Sequence, residues 1–217
     1  MHSWLLAASV ASVATASAAS DRSLIDWAPR TPLPSSLDEM NSTEGVKHFA
    51  SAGSGGTVAF WQLMQHLATQ TTQSFCGVAT ACSAMNALRI NAPVDPIYSP
   101  YAYFVQSSFF SDCVEKVVKR DTVLTMGMTL QQFAGAATCW QATAAATHAE
   151  DSTVSGFTAA ASAAIGKAGL MVAINFARTG LDQVGGGHFS PLAAYDAASD
   201  RFLILDVARY KYEGKNI

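Results

Sequence analysis

The sequence predicts an α+β fold, with a helical N-terminal half followed by an antiparallel sheet in the C-terminal half. Apolar residues recur at helical spacing or in alanine-rich runs in segments such as 59–68 and 76–90. Short β-branched and aromatic runs occupy residues 170–177 and 201–207. A five-residue loop at 196–200 would join the last two strands as a hairpin, which makes them antiparallel.

Length and composition exclude several classes of protein. The 217 residues suffice for one domain or two small ones. The net charge is -3, so the basic footprint of a nucleic-acid-binding protein is absent. Half of the residues are hydrophobic, which excludes a disordered chain. Four cysteines without a CxxC pair predict neither a disulfide scaffold nor a zinc site.

The beginning of the chain has the features of a signal peptide. Residues 5–19 form an uncharged apolar run that is too short to span a membrane as a helix. Small residues at 16–19 fit a cleavage site, so residues 1–19 are predicted to be a signal peptide. Residues 1–3 carry no Lys or Arg, and an alanine-rich helix or tail is the alternative. The signal peptide would make the protein exported, periplasmic or secreted; without it the protein would be cytoplasmic.

The rest of the chain is predicted to hold one domain. Prolines and serines without helical or strand periodicity make residues 20–40 a linker, and the loop character continues to a glycine cluster at 53–56. No later segment divides the remainder, so residues 41–217 are assigned to a single domain.

The helices are predicted from apolar spacing and from helix start signals. Between the second and third helices, residues 98–110 contain six aromatic side chains that we expect in the core. The four predicted helices cover residues 59–68, residues 76–90, a segment starting at Thr129, and residues 155–167.

Three strands are predicted near the end of the chain. They cover residues 170–177, 188–195 and 201–207. Pro191 lies in the second strand and lacks a backbone N–H, so we expect a sheet edge or a bulge there.

Cys76 is the candidate nucleophile. A cysteine at a helix N-terminus gains thiolate character from the backbone dipoles, and the second predicted helix begins there. Gly77 would allow a substrate or another backbone to approach closely. Gln70 lies six residues earlier, and its amide could donate to an oxyanion beside the thiolate. The alternative for Cys76 is a small buried hydrophobic residue.

His188 is the best-placed general base among the five histidines. It lies between a glycine run at 185–187 and an apolar strand. We expect His48 and His148 to be surface residues, and His66 to lie in the core or at its rim.

Asp206 would be the partner of His188. Pairing about a loop centred near residue 198 places His188 opposite residue 208, two positions from Asp206. Slack in the register or a bulge at Pro191 would let the carboxylate hold one imidazole nitrogen. Asp206 could instead cap a turn at the strand end, but an acid after three apolar strand residues is costly to bury without a partner.

The sequence motifs around these residues resemble those of one family. The nucleophile segment has TQ at 69–70, FCGVA at 75–79 and MNAL at 85–88. The second block has GGHFSPLAAY at 186–195 followed by DRFLILDVARYKY at 200–212. Both blocks are similar to those of phytochelatin synthases, and the resemblance covers roughly residues 41–212.

The resemblance implies a papain-like fold and the activity of a glutathione γ-glutamylcysteinyltransferase. Cys76 would attack the Cys-Gly carbonyl of glutathione, expel glycine and form a γ-glutamylcysteinyl thioester, which water or a second glutathione would resolve. His188 would be base and then acid, Asp206 its orienter, and Gln70 the oxyanion donor.

The resemblance also implies a substrate site. Arg178 matches a family arginine associated with substrate recognition, and a guanidinium fits a glutathione carboxylate. Asn175 would assist it. An ordinary solvated arginine after a strand is the alternative for Arg178.

Some features depart from the family pattern. Plant-type members carry a cysteine-rich C-terminal extension, whereas this sequence resembles the short bacterial type, in which hydrolysis of glutathione usually prevails over peptide synthesis. The family usually continues with a proline pair and a tryptophan, and residues 213–217 of this sequence have neither, which would leave the domain truncated at its C-terminus.

Acylation would require no cofactor, and Cd or Zn would act through glutathione thiolates. The other cysteines could bind metal themselves; we expect Cys82 in the core and Cys113 to be the most exposed thiol. Family analogy suggests a homodimer.

Two other functions remain open from the residues. A papain-like peptidase of the bacteriocin-processing type would use the same Gln, Cys, His and Asp on longer peptides. A non-catalytic thiol- or metal-binding relative is a different class.

Overall fold

The structure is a computed structural model that describes residues 31–212. The predicted signal peptide, residues 1–19, lies outside the described residues, as does the first half of the predicted linker. In the described part, helices precede a three-stranded antiparallel sheet, which confirms the α+β prediction. The elements are α1 Thr43–Ala52, α2 Val58–Leu63, α3 Cys76–Ala87, α4 Asp112–Val117, α5 Arg120–Met126, α6 Leu130–Cys139, α7 Val154–Ile165, β1 Val172–Ala177, β2 Gly187–Asp196 and β3 Arg201–Ile204.

Three predicted helices begin within a residue of the expected position. Helix α3 begins at Cys76, and α7 begins one residue early at Val154. Helix α6 follows Thr129, whose side chain forms a reciprocal capping box with Gln132.

Helix α2 is shorter than predicted. It ends at Leu63, where the chain turns with the His66 N–H bonded to the Leu63 carbonyl. Met64, the residue after the helix, is 39% exposed. The turn leads to Gln70, whose backbone N–H bonds the Val207 carbonyl, so tertiary pairing of the following loop ends the helical pattern early.

The sequence did not predict α1, α4 and α5. Helix α1 lies inside the segment expected to be loop, because the Ser42 hydroxyl accepts from the Gly45 N–H and starts the helix. Gly45 is buried against the backbone of Glu39 and Met40, so an added Cβ would lie 2.1 Å from the Glu39 carbonyl oxygen. Helices α4 and α5 have six and seven residues, too few to display a clear apolar period.

Strand β2 is the centre of the sheet, so Pro191 does not lie at an edge, and the other expectation for it, a bulge, matches a register shift beside it. Pro191 pairs with Ala173 of β1, and its carbonyl accepts from the Leu205 N–H. The register shifts between Leu192 and Ala194, so an irregularity lies immediately after the proline. A missing N–H is tolerated where the ladder is already interrupted.

Asp196 ties the β2–β3 hairpin to helix α1. Its carboxylate accepts from the Ser199 hydroxyl at 2.6 Å and the Ser51 hydroxyl at 2.7 Å, and it bonds His48 at 2.9 Å. The hydrogen bonds from Ser199 and Ser51 hold the pKa of Asp196 well below its usual range. His48 is therefore half-buried at this junction, contrary to the expectation of a surface residue.

The core has two large parts, and Cys76 lies between them. One part joins α3 to the surrounding helices through residues such as Val78 and Phe104. The other joins the sheet to α2 and α7 through Leu63 and Leu192. A third, smaller cluster lies where the two halves meet, and it comprises Cys76, Ala79, Phe189 and Val207.

The aromatic segment at 98–110 is only partly in the core. Phe104 and Phe109 are buried, and replacing a buried Phe by Ala typically costs about 3 to 5 kcal/mol. Tyr98 and Tyr101 are 48% and 75% exposed, so the expectation was wrong for them. Residues 98–110 form an irregular segment in which buried and exposed residues are interspersed.

Cys113 is not a free thiol. It forms a disulfide with Cys139, which joins α4 to α6 across a separation of 26 residues. Helix packing brings the two cysteines together, and their sequence spacing carries no sign of it. Cys82 is buried in α3, as expected.

Residues 31–212 provide neither a membrane-spanning helix nor a cluster of metal ligands. None of the described helices has the length and apolarity needed to cross a membrane. Among the same residues, no group of three or more His, Cys, Asp or Glu side chains is placed to hold a metal ion.

Candidate active site

Cys76 is the first residue of α3 and lies where the helical half meets the sheet. Its side chain is 7% exposed. Burial by itself would raise the pKa of Cys76, but hydrogen bonds from His188 and from the Phe189 backbone N–H outweigh it and lower that pKa. The helix N-terminus adds unpaired N–H groups that favour negative charge. The environment therefore favours a thiolate.

His188 is the second residue of β2 and connects Cys76 to a carboxylate. Its Nε2 donates to Asp206 Oδ1 at 2.7 Å, which leaves Nδ1 as the ring nitrogen not bound to the carboxylate. The ring packs edge-on against Phe176 with 5.6 Å between the centroids. Burial would lower the pKa of His188, but the hydrogen bonds to Asp206 and Cys76 raise it above its ordinary value. The imidazole is thus held in one orientation, and its protonated form is favoured.

Asp206 lies two residues after β3 ends and is buried. Its Oδ1 also accepts from the Ala208 N–H at 2.8 Å. Burial would raise the pKa of Asp206, but the hydrogen bond and charge of His188, with the charge of Arg178, lower it. The register shift in β2 and β3 supplies the slack that the pairing of His188 with Asp206 needs.

Arg178 is buried behind this carboxylate. Its Nη2 lies 3.0 Å from Asp206 Oδ2 and 3.3 Å from Oδ1, and its Nη1 donates to Gln183 Oε1. The guanidinium also lies 5.6 Å from the Tyr212 ring centroid. The structure thus places Arg178 against Asp206, and a contact with a substrate carboxylate remains a prediction. Sequence reasoning missed the Arg178–Asp206 pair, since no motif links residues 28 positions apart.

Asn175 is separate from these groups. It is exposed on β1, opposite Phe189 in the register, and its Oδ1 faces Gly187. It makes no hydrogen bond to Cys76, His188 or Asp206. A role in substrate binding remains a prediction for Asn175.

Gln70 is buried beside the nucleophile segment. Its backbone N–H bonds Val207, the residue after Asp206. Its Nε2 donates to the Thr72 carbonyl at 2.8 Å and to the Tyr210 hydroxyl at 2.9 Å. Tyr210 was missed from the sequence, although it lies within the second motif block.

Helix α6 and the loop before it form one wall of the cluster around Cys76. Phe133 stacks on Phe189 with 4.9 Å between the centroids and 11° between the planes. A Cβ on Gly77 would lie 2.8 Å from the Met128 sulfur, so the glycine admits a side chain of this wall. Close packing by the protein itself therefore explains Gly77, which the sequence had linked to an approaching substrate or backbone.

The arrangement defines a class of chemistry. His188 lowers the pKa of the Cys76 thiol, and the buried Asp206 carboxylate holds the His188 imidazole. Such a set suits nucleophilic acyl transfer, in which the thiolate attacks a carbonyl and the imidazolium protonates the leaving group.

Comparison with known proteins gives the family. Residues 28–216 match phytochelatin synthase. The chain is 36% identical over 182 residues to glutathione gamma-glutamylcysteinyltransferase 3 of Lotus japonicus, covering 83% of this chain and 36% of that protein. It is 35% identical to glutathione gamma-glutamylcysteinyltransferase 1 of Triticum aestivum, covering 83% and 35% of the two chains. The glutathione gamma-glutamylcysteinyltransferase of Schizosaccharomyces pombe is 28% identical, with 83% and 42% covered.

The chain belongs to the phytochelatin synthase family. It spans about a third of the length of the first two relatives.

Proposed function

We propose that this protein is a thiol acyltransferase that acts on glutathione. The observation that carries the proposal is the hydrogen bond of His188 to the buried Asp206, together with the lowered pKa that His188 gives Cys76, in a chain of this family. A thiol at a helix start, with the His on an antiparallel sheet and the Asp just after its last strand, also supports a papain-like fold. The single domain at 41–217 is part of the same proposal.

The reaction begins with the Cys76 thiolate and the His188 imidazolium. The sulfur attacks the Cys-Gly carbonyl carbon of glutathione, and the carbonyl oxygen becomes an oxyanion on the side of the α3 N-terminus and Gln70. As the C–N bond breaks, His188 gives its proton to the amine of the departing glycine. A γ-glutamylcysteinyl thioester remains on Cys76.

The second half of the reaction resolves the thioester. Neutral His188 takes a proton from water, or from the amine of a second glutathione, as that group attacks the thioester carbonyl. The C–S bond then breaks, and Cys76 leaves as the thiolate. Water gives free γ-glutamylcysteine, and glutathione gives a phytochelatin. Asp206 holds the imidazole in place through both halves.

The proposals for the substrate contacts and for the role of metal are drawn from the family. Arg178 and Asn175 are proposed to contact glutathione, and Cd or Zn would enter as a glutathione thiolate complex, as part of the substrate. A homodimer and export to an oxidising compartment complete the proposal. The Cys113–Cys139 disulfide supports export, because such bonds are rare in the cytosol.

Glycine release from glutathione tests the function. We expect the parent protein to release glycine, and Cys76→Ala to release none while keeping its circular dichroism spectrum, because only Cys76 can carry the acyl group. Mass analysis of the products with and without Cd would separate hydrolysis from peptide synthesis.

Cys82→Ala is the matched control, since it removes the other free cysteine from the same helix. It should keep glycine release, because burial raises the pKa of Cys82 and leaves it unreactive. A folded parent that releases no more glycine than Cys76→Ala would refute the function. Preferred cleavage of a double-glycine leader peptide would favour a peptidase, and metal binding without turnover would favour a non-catalytic relative.

A further inference from the structure

The side-chain amide of Gln106 holds both peptide groups that flank Gln70. Its Nε2 donates to the Thr69 carbonyl at 2.8 Å, and its Oε1 accepts from the Thr71 N–H at 2.9 Å. The carbonyl belongs to the peptide group before Gln70, and the N–H belongs to the peptide group after it. Each peptide group is planar and the two meet at the Gln70 Cα, so holding both of them restrains the two backbone dihedrals of Gln70.

Gln106 is buried beneath this loop. It is 9% exposed, whereas Thr69 and Thr71 are exposed on either side of the buried Gln70. Its Oε1 also accepts from the Thr71 hydroxyl at 3.1 Å. These bonds join positions 35 and 37 residues apart, so they depend on the folded chain. Gln106 therefore ties an otherwise exposed loop to the interior.

Helix α3 fixes the position of Gln106. Asn86, near the end of that helix, donates to the Phe104 carbonyl at 2.9 Å and accepts from the Phe104 N–H at 2.9 Å. Phe104 is 1% exposed and lies two residues before Gln106. Cys76 is the first residue of the same helix. The helix that carries the nucleophile thus also anchors the segment that carries Gln106.

The loop is held from the sheet as well. The Gln70 N–H bonds the Val207 carbonyl at 2.9 Å. Val207 follows Asp206 and packs in the cluster that contains Cys76. The two peptide groups that flank Gln70 contain four polar groups, and three of them are bonded in these ways. The Gln70 backbone is therefore fixed relative to both the nucleophile and the carboxylate.

We propose that Gln106 is a positioning residue for acylation, which fixes the Gln70 backbone so that the Gln70 amide reaches the oxyanion formed when Cys76 attacks a carbonyl. This inference rests on the proposed acyl-transfer function. A donor must be in place before the attack, because a displacement of about 1 Å can cost about 100-fold in rate. Gln106 acts through Gln70 and has no contact with the reacting atoms in this scheme.

Gln106→Met tests the inference, since it keeps a side chain of similar length and removes both the donor and the acceptor. We expect the single-turnover rate of glutathione acylation to fall about 10-fold to 100-fold, with little change in KM. Alkylation of Cys76 by iodoacetamide forms no oxyanion, so its rate and pH profile should stay at the parent's values. Gln65→Met is the matched control, because Gln65 also donates to a backbone carbonyl, but at Trp61, and it should acylate at the parent's rate.

A double-mutant cycle shows whether Gln106 acts through Gln70. Gln70→Ala removes the donor and should slow acylation by about 100-fold to 1000-fold. In the Gln70→Ala background, Gln106→Met should change the rate by less than about 2-fold, because no amide remains to be positioned. Gln106→Glu is a milder second variant, since it keeps an oxygen that accepts from Thr71, and it should slow acylation by less than Gln106→Met.

Three results would overturn the inference. They are the parent's rate in both Gln106 variants, an equal loss from Gln106→Met with and without the Gln70 amide, and slower alkylation of Cys76 in Gln106→Met. The burst of nitrophenol from p-nitrophenyl acetate separates this inference from the proposed function, because its ester also forms an oxyanion at Cys76. A parent that ignores glutathione but shows a Gln106-dependent burst would refute the glutathione function and support the role of Gln106. A burst equal in parent and Gln106→Met would refute that role.

Discussion

At the scale of single residues, the site depends on a balance between burial and hydrogen bonding. Burial opposes charge on Cys76, His188 and Asp206, yet each pKa is shifted toward the charged form. Each charge is stabilised by its neighbour, with Arg178 behind Asp206. Removal of any one member leaves the others as buried charges without full compensation.

The pH dependence of Cys76 follows from these directions. A thiol with a lowered pKa should be alkylated by iodoacetamide below pH 8, where an ordinary thiol is mostly protonated. The thiolate is lost as pH falls through the lowered pKa of Cys76, and the imidazolium is lost as pH rises through the raised pKa of His188. Glycine release should therefore be bell-shaped in pH, with its maximum between the two values.

Asp206→Asn should weaken both charges. The neutral amide no longer stabilises the imidazolium, so the alkylation profile of Cys76 should move to higher pH. Thioester formation should slow by about 10⁴-fold, the loss that the same change causes in a serine triad. Rapid-quench mass spectrometry measures the rate. An unchanged profile and rate in a folded Asp206→Asn protein would remove Asp206 from the mechanism.

At the scale of elements, the sequence predicted best where a strong local signal agreed with the tertiary packing. Helix α3 is nearly uncharged and begins at the predicted cysteine, and the β2–β3 hairpin joins two apolar runs. Helix α1 was missed because its start depends on a Ser42 cap and on Gly45 packing against the preceding loop. Neither contact produces a periodic pattern of apolar residues in the sequence.

The disulfide should stabilise the helical half. It joins α4 to α6 across 26 residues, and closing a loop of this size in the unfolded chain is worth about 3 to 4 kcal/mol. We expect Cys113→Ser, and equally the pair Cys113→Ser and Cys139→Ser, to lower the midpoint of thermal unfolding by about 10 °C. Reductant should lower the parent to the same midpoint and leave the variants unchanged. Equal midpoints of parent and variants without reductant would contradict this linkage.

At the scale of the whole molecule, the site exists because two halves of the chain meet. Cys76 comes from the helical half, and His188 with Asp206 comes from the sheet. Short sequence motifs predicted these three residues, since each of them lies within a motif that is recognisable without the fold. Contacts between distant segments, such as those of Arg178 with Asp206 and Gln70 with Tyr210, depend on folded geometry that no short word encodes.

The central claim is that Cys76 becomes acylated by glutathione. The direct measurement is mass spectrometry of the protein quenched in acid during turnover, followed by peptide mapping. We predict a γ-glutamylcysteinyl thioester on the peptide containing Cys76, removable by hydroxylamine and absent from Cys76→Ala. Glycine release with no adduct on Cys76, or with the adduct on another residue, would contradict the account.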